Sequence, residues 1–307
     1  MSALGHLGTP TVAPAATPPD QPVAGGRRRR WLPYLLLLPG GLWLLLFFAI
    51  PAVQLLATSL YDPSGSLESG YAMTWHFANY TDAVRDYAGH FGRSIGYAAV
   101  TTVFALLLGY PLAYAIALKG GRWKNVLLIC VIAPFFTSFL IRTLAWKVIL
   151  SDGGPVVSTL NALHVPLPDG RLLATAPAVI AGLVYNFLPF MVLPLYASLE
   201  KLDPRLLEAA GDLYARPVSR FFRVALPLSM PGVVAGTLLT FIPAAGDYIN
   251  AQLLGTTRQY MIGNVIQSKF LKVGDYPAAA ALSFALMAAI LALVFVYVRR
   301  AGTEEVL

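Results

Sequence analysis

Charge is what this sequence has least of. Asp, Glu, Lys and Arg make up 12% of its 307 residues, about half the quarter that soluble domains carry. A soluble fold cannot cover its surface with so few charges. Hydrophobic residues at 57% also exclude a disordered or collagen-like chain. Cysteine is nearly absent: the single Cys130 excludes an internal disulfide framework and a cysteine-based zinc site. The four histidines, His6, His76, His90 and His164, are scattered and give no metal-binding pair at helical spacing. No Gly-x-x-x-x-Gly-Lys-Ser/Thr cradle for nucleotide phosphates occurs.

What is there is long and apolar. Six apolar stretches contain no Asp, Glu, Lys or Arg: Trp31–Tyr61, Ser94–Leu118, Asn125–Ile141, Leu172–Leu199, Val224–Gly246 and Tyr276–Val298. A helix crosses the hydrocarbon in roughly 17–25 residues, and each stretch reaches that length. The third extends past Arg142, whose long side chain can snorkel or pair with an acid. Barrel strands alternate every second residue, and these stretches do not. The pattern predicts an all-α membrane protein with six transmembrane helices. Prolines 39, 51, 111, 134, 189, 194 and 243 fall inside or beside them, as membrane bundles tolerate. The spans hold no paired carboxylates, no histidine pair and no serine–lysine dyad, which argues against an intramembrane enzyme. Ion-coupling acids and inverted repeats, the marks of a secondary transporter, are also missing.

Loop charge sets the orientation. With the N-terminus inside, the inner segments hold Arg27–Arg30, Lys119, Arg122, Lys124, Lys201, Arg205, Arg216, Arg220, Arg223, Arg299 and Arg300, fourteen of the 22 basic residues. The net charge of +7 is then a topology signal on the inner face, and a nucleic-acid partner has no support. Residues 1–30 read as a disordered cytoplasmic tail, 31–300 as the membrane domain and 301–307 as a short cytoplasmic tail. Four arginines before an apolar stretch resemble a signal peptide, but this stretch is about twice the length of a signal h-region.

The inner loop at about 200–228 is the most informative. Asp203 is an N-cap candidate with Pro204 in the first turn. Leu206, Leu207, Ala210 and Leu213 recur at helical spacing. Pro217 opens a second short helix with Phe221, Phe222 and Val224 apolar and Arg216, Arg220 and Arg223 on its polar side. Two short amphipathic helices at a membrane surface suit docking of a soluble subunit, or contact with lipid headgroups.

This loop resembles the EAA loop of ABC importer permeases. Glu208-Ala209-Ala210 is followed at the family spacing by Val224 and Leu226-Pro227. Tyr214 stands where the family usually has glycine, so the turn is expected to shift toward Ala215–Pro217. Thr137–Trp146, Val148–Gly154, Tyr185–Tyr196, Gly246–Tyr248, Leu253–Gly255 and Met261–Gln267 resemble segments of spermidine/putrescine permeases. The resemblance implies a type I importer permease of the bacterial inner membrane, with both termini cytoplasmic and a polyamine as cargo. Permeases for another small solute, such as an amino-acid derivative, phosphonate or sugar, are the alternative. It implies four kinds of partner: a second permease subunit, two cytoplasmic ATPase subunits that hold ATP and Mg, an extracytoplasmic binding protein and membrane lipid. Glu208, Ala209, Ala210, Gly211, Tyr214 and Arg216 would couple to the ATPase, with Glu208 making a charged contact.

A route for a flexible cation needs carboxylates, carbonyls and aromatic faces. Asp247 closes the fifth stretch and is the leading candidate, because an acid within a membrane domain is functional by default. An ordinary acid at a helix end in the headgroup zone is the competing reading. Tyr248, Tyr185 and Asn186 are candidates for the same route, against interfacial-belt roles for the tyrosines. Gly232 and Gly236, four apart, suit either internal packing or a subunit interface.

Overall fold

The computed structural model describes residues 32–66, 68–165 and 170–301. The tail expected at 1–30, and the tail expected at 301–307 beyond Ala301, lie outside them. The chain divides at Pro51 into two units. The first contributes α1 (Leu32–Leu44), which carries Pro39 in its interior, and a wide π-turn at Leu45–Ala49. Pro51 follows this turn and brings no N–H to the helical ladder.

The second unit holds most of the helices. The chain emerges from α2 (Ile50–Thr58) into an irregular connection, and α3 (Ala78–Tyr114) follows it. Next come α4 (Lys124–Ile132), α5 (Phe139–Ile149), α6 (Pro155–Ala162) and α7 (Ala176–Glu200). The loop helices α8 (Pro204–Asp212), α9 (Pro217–Arg220) and α10 (Leu226–Leu228) lead into α11 (Met230–Ala245). Short α12 (Ile249–Leu254) and α13 (Ile262–Ser268) precede α14 (Tyr276–Ala301). Among the described residues, four helical stretches are long and apolar enough to cross a membrane: Leu35–Thr58, Ala78–Lys119, Ala176–Glu200 and Tyr276–Arg300. Two bent pairs bring the number to six, Gly121–Phe136 with Phe139–Ile149, and Pro217–Leu228 with Met230–Ala245.

Both bent pairs correct the sequence reading. The third stretch does not run straight past Arg142. It breaks at Thr137–Ser138 and turns by 96°. Pro134 sits in a tight 3₁₀ turn, Ala133–Phe136, and Thr137 is extended at ψ 144°. The new helix then restarts at Phe139, with the Arg142 N–H donating to the Ser138 carbonyl at 3.1 Å. The fifth stretch does not begin its span at Val224 either. Phe221–Ala225 forms a π-turn, Pro227 follows with no N–H to give, and the chain bends by 70° before α11 starts at Met230.

The core is built by α3, α7 and α11 packing on one another. Small residues set how closely they approach. A Cβ on Gly236 would sit 2.8 Å from Met191 Sδ, and one on Gly232 would sit 2.7 Å from the Pro194 carbonyl oxygen. This pair therefore packs on α7 inside the chain, the internal one of its two readings. Two apolar clusters result. One, with Met191, Leu195, Leu199 and Ile116, lies toward the α8–α9 end. The other, with Leu183, Leu254, Met261 and Leu282, lies toward the opposite end. Tyr110 on α3 and Ser229, at the start of α11, share a hydroxyl hydrogen bond of 2.6 Å.

Candidate functional site

The candidate residues fall in two places, at opposite ends of α11. The first is the connection from α7 to α11. The Asp203 carboxylate accepts the Arg205 N–H at 3.0 Å, and Pro204 occupies the first position of α8. This is N-capping by side chain and by fixed φ together. No residue of α8 is buried. Glu208, Ala209 and Arg216 are exposed, while Ala210 and Gly211 are half-buried. Glu208 makes no salt bridge among the described residues. Phe221 anchors the loop, its ring edge-on to Tyr110 and Tyr114 of α3 at 5.1 and 6.2 Å.

The end of α8 differs from expectation. The turn stays at Tyr214, which takes the left-handed conformation at φ 59°. The Ala215 N–H donates to the Ala210 carbonyl at 3.1 Å and the Tyr214 N–H to the Gly211 carbonyl at 2.9 Å. These two bonds make a Schellman motif, whose left-handed position is usually glycine. A side chain there costs roughly 1–2 kcal/mol. The hydrogen bonds to the α8 carbonyls hold the turn in place despite the Cβ. Arg220 adds to them: its Nε donates to the Ala215 carbonyl at 3.1 Å, beside Gly211, where a Cβ would lie 3.0 Å from its guanidinium. Arg220 is therefore folded back onto the turn, unlike exposed Arg216 and Arg223.

The second place is a buried polar layer beyond the other end of α11. Asn186 on α7 donates through Nδ2 to Thr143 Oγ1 on α5 and to Asn250 Oδ1 on α12, both at 3.1 Å. Asp247 lies in the break between α11 and α12 and is buried. Its Oδ1 accepts the Asn250 N–H at 2.8 Å. Asn264 of α13 donates to the Tyr248 carbonyl at 2.8 Å and accepts the Met261 N–H at 2.9 Å. Two atoms of the layer, Asn186 Oδ1 and Asn250 Nδ2, have no partner among the described residues. Gly182 makes the layer possible, since a Cβ there would run into Leu254 and the Asn250 side chain of α12.

Of the four route residues read from sequence, two meet here. Asn186 and Asp247 flank Asn250 from either side. Tyr248 contributes its carbonyl, and its side chain is exposed. Tyr185 faces away, its ring tilted at 56° to that of Trp146 with centroids 5.3 Å apart, and lines an apolar groove of about 590 Å³ with Phe104, Leu108 and Ile180. Thr143, Asn250 and Asn264 were missed. Their one sequence signal is Asn250 at three residues past Asp247, the spacing at which an aspartate caps a helix. Arg142 departs from both of its expected roles. It is buried, pairs with no acid among the described residues, and lies over the rings of Phe135 and Phe139 at 5.0 and 5.7 Å. Phe139 lies one helical turn before Arg142 in α5, and the 96° break sets Phe135 beside it, so a cation–π contact replaces the ion pair. Gly92-Arg93-Ser94-Ile95-Gly96 spells a nucleophile-elbow pattern. It lies inside continuous α3, with the Ser94 hydroxyl accepting the Ile262 N–H at 2.8 Å, so there is no elbow.

Among the described residues the chain is a set of apolar helices with two broken spans and an exposed loop of short helices. Residues 105–301 match the family of binding-protein-dependent transport system inner membrane components, and the chain belongs to it. Two relatives narrow the likeness. The spermidine/putrescine transport system permease protein PotB of Haemophilus influenzae is 42% identical over 258 residues, covering 84% of this chain and 90% of the relative. Its counterpart in Escherichia coli K12 is 39% identical over 84% of this chain and 93% of the relative. Among solved structures, a bacterial ABC transporter involved in the import of the acidic polysaccharide alginate matches with TM-score 0.66 and 20% identity, over 89% of this chain and 96% of that one. The type I importer permease architecture expected from the sequence is thus the fold of this chain.

Proposed function

We propose that the chain is the transmembrane subunit of an ATP-driven importer for a polyamine of the spermidine/putrescine class. The observation that carries this is the 42% identity to a spermidine/putrescine permease across nearly all of both chains. The partners are a second permease subunit, two ATPase subunits that bind ATP and Mg on the cytoplasmic side, and an extracytoplasmic binding protein. Both termini face the cytoplasm, in keeping with the basic excess of the inner loops.

The mechanism follows from the two ends of α11. ATP-driven closure of the ATPase pair moves α8 and α9. Glu208, Ala209, Ala210, Gly211, Tyr214 and Arg216 form the contact surface, with Glu208 as its charged contact. Phe221 passes the displacement to α3 through Tyr110 and Tyr114, and Tyr110 passes it to α11 through Ser229. At the far end the Asp247 carboxylate attracts an ammonium group as the layer opens. Asn186 Oδ1, without a partner among the described residues, can accept an ammonium N–H there, and Tyr185 and Tyr248 offer aromatic faces. The bundles thereby alternate between two states that ATP and cargo bias differently.

The test is reconstitution of the full complex in vesicles with labelled spermidine and putrescine. ATP-dependent uptake of either is expected. Uptake of neither, with uptake of an amino-acid derivative, phosphonate or sugar instead, would overturn the cargo assignment.

A further inference from the structure

We infer that Tyr214 is an aromatic anchor that inserts into an apolar pocket of the ATPase subunit and adds to the affinity of this permease for that partner. This rests on the docking role proposed for the α8–α9 loop and names the residue that carries it. The starting point is a conflict inside the turn. The Schellman bonds from Tyr214 and Ala215 need a left-handed residue at 214, the conformation glycine adopts without strain. The sequence places there one of the bulkiest side chains instead. Strained backbone positions of this kind cluster at ligand clamps and switch regions, where the strain serves function.

Nothing within the described chain takes up the Tyr214 side chain. Tyr214 is 97% exposed, and its hydroxyl makes no hydrogen bond among the described residues. The neighbours point the same way: Leu213 is 82% exposed and Val218 is 67% exposed. The rest of the turn is held firmly by the Arg220 bond to Ala215 and by Phe221 against α3. A rigid base therefore presents a tyrosine ring, at low entropic cost to a partner that buries it. Exposed Arg205 and Arg216 lie on either side in sequence, with exposed Glu208 and Asp212 between them. An apolar ring within a charged rim matches a protein pocket better than hydrocarbon, which would have to accept the acids as well.

The experiment uses the assembled permease pair in nanodiscs, titrated with its ATPase subunits. Tyr214→Gly is expected to weaken ATPase binding at least tenfold, while the melting temperature of the permease without ATPase stays the same or rises. Tyr214→Phe is expected to stay within threefold of the parent, because the ring is kept. Parent-like binding by Tyr214→Gly would overturn the anchor. So would quenching of a Tyr214→Trp fluorophore by brominated lipid in the absence of ATPase, because the side chain would then sit in the membrane. Glu208→Arg separates the two levels. If it uncouples transport while Tyr214→Gly binds normally, only the anchor fails; if both variants behave as parent, the docking role of the loop fails with it.

Discussion

The two ends of α11 hold their functional candidates by opposite means. At one end, Asp203, Tyr214 and Ala215 fix the loop through hydrogen bonds between residues two to five apart, and the side chains of interest stay in solvent. At the other, Asn186 reaches Thr143 and Asn250 across 43 and 64 residues of sequence, and the whole layer is buried. The difference fits two tasks. A surface that receives a partner must be rigid before the partner arrives and must leave its contacts unspent. A layer between moving helices must hold together in one state and separate in another. Polar pairs suit this second task, because interhelical hydrogen bonds in membrane bundles contribute only about 0.6 kcal/mol each on average.

Reversing the charge at Glu208 is the strongest way to break this comparison. Glu208→Arg changes an exposed residue with no salt bridge among the described residues. ATP-driven uptake is expected to fall at least tenfold while insertion and melting temperature stay at parent values. Parent-level uptake would remove the coupling role and leave α8 a solvated surface helix.

A middle-sized effect is expected at Asp247. Asn is close to isosteric and keeps an oxygen to accept the Asn250 N–H, so Asp247→Asn removes charge while preserving the cap. The KM for polyamine uptake is expected to rise severalfold, with basal ATP hydrolysis changed less. Unchanged uptake would make Asp247 a capping residue of α12 and nothing more.

How much of each end was legible in the sequence follows from the same contrast. The loop was readable because its forces are local. Asp203-Pro204 names a helix start, and Pro217 names another. The one local error was Tyr214, where side-chain preference suggested that the turn would move. Six stretches of sufficient length were visible because hydrophobicity is a sum over residues. The breaks at Thr137–Ser138 and before Met230 were not, although Pro134 and Pro227 stand beside them, because proline elsewhere in this chain, as at Pro189 in α7, leaves a helix continuous. The buried layer was half legible. Asp247 and Asn186 stood out as polar residues at or inside apolar stretches. Thr143 and Asn250 acquire their meaning only when α5, α7 and α12 meet, and no periodicity encodes that meeting.

The smallest expected effect tests whether the layer acts as a unit. Asn186→Leu removes the donor to Thr143 and to Asn250, and Asn250→Leu removes the acceptor from the other side. Asn186→Leu strands Asn250 Oδ1 and takes one of the two partners of Thr143 Oγ1, whereas Asn250→Leu takes one of the two acceptors of Asn186 Nδ2; a buried polar group left unpaired costs about 1–3 kcal/mol in proteins generally. The double change removes both groups at once, so it should cost less than the sum. The coupling energy from a double-mutant cycle on unfolding of the purified protein is expected at roughly 0.6–1.7 kcal/mol. A coupling near zero would mean that the 3.1 Å contact contributes nothing to stability. The two ends of α11 would then differ in burial alone, and opening the layer during transport would need no polar bond to break.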